Sequence, residues 1–243
     1  MNYSNKIKLA DFFVGIAHQT YCIIKLDKNF PNYHRNSDID IFCYDIIQMT
    51  REILKFGNEY ANKGFKIIVN EVSEDQVHVD FYAPNDKKLE FRFDLMQSLA
   101  GYKKINVKPA LFSSILENRV SVKQHKIDLC VPSQIDNFLI RYIEFIEYYD
   151  TRADKIKHAD YINESASNLD KKVMLDKLHF YTCLPFYGND NHKIESSVNC
   201  AKPRVPNTKL SLKELRRRII QIKMKKDRKL IKICGFYLFR KLK

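Results

Sequence analysis

Apolar and polar residues follow two distinct periods along the first half of the chain. Between Gln76 and Ala83, Val77, Val79 and Phe81 alternate with His78 and Asp80; from Leu89 to Met96, Leu89, Phe91, Phe93 and Leu95 alternate with Glu90, Arg92 and Asp94. A period of two predicts strands with one apolar face each. Thr20–Leu26 and Phe65–Val72 predict further strands, and Ser73-Glu74-Asp75 and Pro84-Asn85-Asp86 predict the turns. Helical spacing instead governs Lys6 to Ala17, through Leu9, Phe12, Phe13 and Ile16. It also governs Tyr44 to Lys63, through Ile46, Ile47, Ile53, Leu54, Tyr60 and Ala61, with Gly64 as the stop.

Beyond Gly101 the character changes. Pro109 to Arg119 predicts a short helix (Leu111, Phe112, Ile115, Leu116), and Val120 to Val131 a strand pair. Ser133 with Asp136 three residues on forms a capping box opening a long helix. Its apolar stripe through Ile135, Phe138, Leu139, Tyr142, Phe145, Ile146 and Tyr149 reads as core. Asn168 to Thr182 predicts another helix, and Pro185 to Pro206 a polar linker. A second capping box, Ser211-Leu212-Lys213-Glu214, predicts an amphipathic basic helix with Leu212, Leu215, Ile219 and Ile222 on one side. The class implied is α+β: a mixed sheet with flanking helices, then a helical region and a basic amphipathic tail. The expected division is a core at 1–100, a mainly helical accessory region at 101–184, a linker at 185–207 and a tail at 208–243.

Composition adds where charge sits. With 45% hydrophobic and 12% aromatic residues in 243, the chain is that of a folded protein. The net charge of +13 is concentrated at one end: sixteen Lys and Arg from Lys202 onward stand against Glu214 and Asp227, giving +14 and leaving −1 for the preceding residues. From Lys229 to Lys243 bases interleave with Ile, Leu and Phe, a pattern suited to the headgroup boundary of an anionic membrane. A helix docked on the protein's own core, or on a partner, is the plainer alternative. No apolar run approaches the ~20 residues needed to cross a bilayer, and the N-terminus lacks a signal-peptide core. A cytoplasmic location, peripheral on the inner face of the membrane, is therefore expected. The six cysteines include no C-x-x-C pair; Cys22, Cys43 and Cys130 sit in apolar runs and read as reduced core thiols.

The candidate chemistry lies in Asn36-Ser37-Asp38-Ile39-Asp40-Ile41-Phe42, a short strand entered from a polar turn. Alternation places Asp38 and Asp40 on one face. Adjacent carboxylates repel unless a cation neutralises them, and hard divalent ions prefer such oxygens, so Mg²⁺ or Mn²⁺ is the cofactor expected. A solvated Asp pair at the sheet rim is the competing reading. Just upstream, Lys25, His34 and Arg35 are placed to contact a phosphorylated substrate.

The run Ser37 to Phe42 resembles the metal-binding strand of the nucleotidyltransferase-fold superfamily. Tyr21 to Phe42 is similar to a bacterial subgroup found among surface-polysaccharide (capsule and lipopolysaccharide) biosynthesis proteins, and the likeness extends over about the first two-thirds of the chain. It implies a nucleotidyltransferase-like mixed sheet, with Asp38 and Asp40 as metal ligands and Ser37 at the phosphates. A third carboxylate from a later strand would hold metal or act as base: Asp94 in Phe-Arg-Phe-Asp-Leu first, Asp80 in Val-His-Val-Asp-Phe second, or both lining the site, with Arg92 as a further phosphate contact. The competing reading is that whichever Asp is not the metal partner pairs with Arg92 across the solvent face of the sheet, the face that also carries Glu90. Arg152-Ala153-Asp154-Lys155-Ile156-Lys157-His158 also resembles a run of that subgroup, implying phosphate contacts from Arg152, Lys155, Lys157 and His158. A salt-bridge cluster is the alternative there. The chain departs from the superfamily where many members carry a Gly-Ser pair that cradles phosphates; here the region reads Ile24-Lys25-Leu26-Asp27.

The function these features imply is a metal-dependent nucleotidyl- or phospho-group transferase of cell-surface glycan biosynthesis. Its donor would be a nucleoside triphosphate or a nucleotide-activated alcohol such as a CDP-linked group, and its acceptor a glycan or lipid-linked sugar. An RNA-directed nucleotidyltransferase is the second reading, disfavoured because no nucleic-acid-binding motif is present. A non-catalytic membrane-associated scaffold for glycosyltransferases is the third.

Overall fold

Five of the predicted strands assemble into one mixed sheet. In this computed structural model the described residues are 3–4, 6–99, 101–102, 104–148, 151–152, 155, 158, 161–162, 164–165, 168–184 and 186, with the backbone of 220–225, 228–233 and 236–241. The chain divides into two units, 1–202 and 203–243.

The first unit opens with β1 (Tyr3–Ser4) and helix α1 (Leu9–Gly15). Strand β2 (Tyr21–Ile24), the two-residue β3 (Tyr33–His34) and the acidic strand β4 (Ser37–Cys43) follow. Helix α2 (Ile46–Asn62) leads to β5 (Lys66–Ser73), β6 (Gln76–Tyr82) and β7 (Leu89–Met96). The sheet order is β2-β4-β7-β6-β5; β4 and β7 run parallel and the other neighbours antiparallel. A parallel neighbour needs a crossover connection. Here α2, β5 and β6 supply it, and β3 pairs with β1 outside the sheet.

Each sheet face has its own core. Ile39, Ile41, Val77, Val79, Phe81, Phe91, Phe93 and Leu95 pack against Phe12, Phe13, Met49, Ile53 and Tyr60 of α1 and α2. Asp45 caps α2 by accepting the Gln48 N–H (2.8 Å), and Gly64 ends it at φ +88, a region open to glycine without strain. The strand pair β8 (Val120–Gln124) and β9 (Ile127–Val131) joins this core through Ile127 and Leu129. The opposite face carries Cys22, Ile24 and Phe42, covered by α3 (Ala110–Glu117), α4 (Gln134–Tyr148) and α5 (Lys171–Thr182). Ser133 accepts the Asp136 N–H (3.2 Å), so the predicted cap of α4 forms. This α+β arrangement, a mixed sheet with flanking helices, is the class the sequence implies. Among the described residues, no helix is long and apolar enough to cross a membrane.

Two expectations are corrected. Glu90 was expected on the solvent-facing row of β7 but is fully buried. The register slips between Phe81 and Tyr82, so that Phe81 faces Phe91 and Tyr82 faces Leu89, and Glu90 falls at the bulge. There it lies 3.3 Å from both the Tyr33 hydroxyl and Arg35 Nε.

In the second unit, the helix expected to open at Ser211 and run through Ile222 gives way to strand by Ile220. Strands β10 (Ile220–Lys225), β11 (Arg228–Ile233) and β12 (Phe236–Lys241) form an antiparallel meander. Its register aligns Ile220 with Ile233 and Phe236, and Ile222 with Ile231 and Leu238. The alternation Ile220-Gln221-Ile222-Lys223-Met224-Lys225 has the period of a strand, and β-branched isoleucines favour it. The capping box itself, Ser211 to Glu214, lies outside the described residues, as does most of the predicted linker.

Candidate active site

The acidic strand is held at its entry by local bonds. Asn36 takes the left-handed conformation (φ +64), which its short polar side chain tolerates, and its N–H donates to the Glu90 carbonyl (3.1 Å). The Ser37 hydroxyl donates to the His34 carbonyl (2.6 Å). From there the parallel register sets Asp38 beside Arg92 and Asp40 beside Asp94, while β6 sets His78 beside Asp94 and Asp80 beside Arg92. One sheet face therefore carries Asp38, Asp40, His78, Asp80, Arg92 and Asp94.

The structure separates the two candidates for the third carboxylate. Asp80 is 1% exposed and gripped by Arg92, whose Nε donates to Oδ1 (2.6 Å) and Nη2 to Oδ2 (3.1 Å). Asn70 Nδ2 donates to Oδ2 as well (2.9 Å). With its lone pairs engaged, Asp80 is a structural counter-ion. The expectation that it acts at the site, and that Arg92 contacts phosphate, gives way to this pair. Asp94 instead faces the cavity beside Asp40, receiving Gln76 Nε2 at 2.9 and 3.1 Å, with His78 Nε2 3.5 Å away. Burial above all, with the charges of Asp40 and Asp38 adding to it, raises the Asp94 carboxyl above its ordinary pKa against the Gln76 hydrogen bonds.

Opposite the carboxylates stands a basic wall organised by a residue that pattern reading missed. Glu144 of α4 accepts the Lys25 ammonium (3.0 Å) and that of Lys155, and lies 3.3 Å from His158 Nε2. Burial opposes its ionisation, yet the contacts with His158, Lys25 and Lys155 hold its carboxyl well below the usual carboxylate range. Lys155 and His158 are buried against Glu144, the salt-bridge alternative of the sequence reading; Lys155 also borders the cavity, and His158 is not among its lining residues. Arg152 does line the cavity, its guanidinium carbon 5.7 Å from the Tyr148 ring centroid. Lys157 lies outside the described residues. His34 and Ser37 line the cavity as expected, whereas Arg35 turns away to Asp86 (Nη1 to Oδ2, 2.6 Å) and Glu90. A signal for Glu144 did exist: Ile140 and Ile143 fall off the predicted stripe, and a helix apolar on more than one side is buried all round.

Lys25 joins the two walls. Directly after β2 it takes a left-handed backbone (φ +56), and its Nζ sits 3.0 Å from both Asp40 Oδ2 and Glu144 Oε2. Between the walls lies a cavity of about 900 Å³, lined by Asp38, Asp40 and Asp94 on one side and by Lys25, Arg152 and Lys155 on the other. Hard carboxylate oxygens on paired strands fit a divalent ion of the Mg²⁺ type. Among the described residues, no three His, Cys, Asp or Glu side chains are gathered closely enough to hold one alone. The chemistry of the donor set thus fits an ion taken by one or two carboxylates and completed by phosphate oxygens and water, the usual habit of Mg²⁺.

No protein-family model and no curated protein matches the sequence. Among solved structures, the chain is similar to an antigenic nucleotidyltransferase-like protein from Paracoccidioides brasiliensis. Identity is 8%, the TM-score is 0.42, and the match covers 81% of this chain and 94% of that one.

Proposed function

We propose that this protein is a Mg²⁺-dependent transferase of the nucleotidyltransferase fold that moves a nucleotidyl or phospho group from a nucleotide-activated donor to a glycan or lipid-linked sugar in bacterial cell-surface glycan assembly. The observation that carries it is the pairing of Asp40 with Asp94 on parallel strands, beside Asp38, at a cavity whose far wall is basic. A bound divalent ion would neutralise charge on the donor's phosphates. Asp38 and Asp40 hold that ion. Asp94, with its raised proton affinity, takes the proton of the attacking hydroxyl. Lys25 and Arg152 bind the donor's phosphates.

Calorimetry with Mg²⁺ and a panel of nucleotides on the wild type, Asp38→Asn and Asp40→Asn tests this reading. Loss of binding in both variants is expected; equal binding in all three, or none in the wild type, sinks it. The Lys25–Asp40 ion pair favours a second reading, a non-catalytic scaffold whose acidic strand is neutralised from within. Under that reading an Asp38→Ala/Asp40→Ala strain keeps its surface glycan, while deletion of the protein removes it.

A further inference from the structure

We propose that Lys25 is an internal counter-ion that changes partners as ligands arrive: it occupies Asp40 until a divalent ion takes that carboxylate, and then turns its ammonium to the incoming phosphate while Glu144 keeps hold of it. This rests on the transferase reading above and adds how the site is kept neutral when empty and how metal and donor binding are coupled.

Three independent features converge on this residue. Its Nζ is shared equally, 3.0 Å from a strand carboxylate and 3.0 Å from a helix carboxylate, so releasing one partner leaves the other in place. Glu144 has a second cation in Lys155 and a further neighbour in His158 Nε2 at 3.3 Å, whereas Lys25 is the cation within ion-pair distance of Asp40 among the described residues. The backbone at Lys25 is left-handed, which a non-glycine residue adopts at a cost and which persists where the surrounding contacts dictate it. The strain and the two ion pairs place the ammonium at the mouth of the acid pair, where a cation is needed whether or not metal is present. A divalent ion carries twice the charge and displaces it. The freed ammonium then meets an anion on the same cavity wall as Arg152.

The signature is a pair of effects with opposite signs. Removing the ammonium takes a competitor away from Asp40 but removes a phosphate ligand, so Mn²⁺ alone binds more tightly and Mn²⁺-pyrophosphate more weakly. Damage to the fold weakens both together. Titration calorimetry on the full chain compares the wild type with Lys25→Met, Lys25→Gly and Lys25→Arg. Lys25→Gly relieves the left-handed backbone and so separates strain from charge.

The Met and Gly variants are expected to bind Mn²⁺ about three- to tenfold more tightly than the wild type and Mn²⁺-pyrophosphate at least about threefold more weakly, as the loss of one partly buried ion pair implies. Lys25→Arg stays near wild type in both. Thermal melts give a second readout: Mn²⁺ raises the midpoint of Lys25→Met by more than that of the wild type. Unchanged or weaker Mn²⁺ binding in Lys25→Met and Lys25→Gly, with binding still abolished in Asp40→Asn, overturns the exchange of partners and leaves the transferase reading standing. Absence of Mn²⁺ binding in every protein, wild type included, overturns both.

Discussion

Asp80 and Asp94 are two carboxylates on neighbouring strands of one sheet face, yet their surroundings assign them opposite duties. Asp80 has spent its oxygens on Arg92 and Asn70, so Asp80→Ala strands a half-buried guanidinium and is expected to destabilise the protein by about 2–3 kcal/mol in denaturant melts while leaving Mn²⁺ binding intact. Asp94→Asn does the reverse: it removes a carboxylate whose ionisation the fold opposes, so the melt is unchanged or improved and Mn²⁺ binding is weakened. Glu144→Gln is the harshest single change, leaving Lys25, Lys155 and His158 gathered without their counter-charge, and about 3–5 kcal/mol of stability is expected to go. Its pH dependence has a definite sign. The folded carboxyl titrates below the unfolded one, so the contribution is complete above the ordinary Glu range, and the gap between wild type and Glu144→Gln narrows as pH falls below about 4. A gap that is flat down to strong acid refutes the assignment of charge to Glu144.

At the scale of elements, the joints are as informative as the strands. Gly64 closes α2 with a positive φ, and a Cβ built there meets Pro84 Cβ at 3.2 Å. Gly64→Ala is accordingly expected to cost about 1 kcal/mol in a denaturant melt, with no effect on Mn²⁺ binding. That joint was legible in the sequence, as were β6, β7 and the capping box of α4, because each depends on residues close to one another along the chain. The acidic strand was legible for the same reason: Asp38 and Asp40 share a face by alternation alone. What could not be read was which distant groups meet. The choice between Asp80 and Asp94 depends on the β6–β7 register, and the commitment of Lys155 and His158 depends on Glu144 lying across the cavity from the sheet. Glu90 looked solvent-facing because a bulge leaves no trace in a clean alternation. The basic tail misled in the opposite direction: a capping box and a stripe suggested a helix, while its isoleucines alternate at strand spacing.

Taken as a whole, the molecule keeps its acidic cavity within residues 1–202 and its excess positive charge largely in 203–243. Flotation with anionic and neutral vesicles, with and without residues 203–243, checks the proposed membrane role of the tail. Binding to anionic vesicles that is lost on truncation and weakens with salt is expected; salt-independent binding, or none, refutes it.

The parallel pairing of β4 with β7 has one more consequence. Because α2, β5 and β6 intervene between the two halves of the acid cluster, a growing chain carries Asp38 and Asp40 long before it carries Asp94. A ribosome-bound or proteolysed fragment ending ahead of β7 therefore presents the paired acids of β4 without Asp94 beside them.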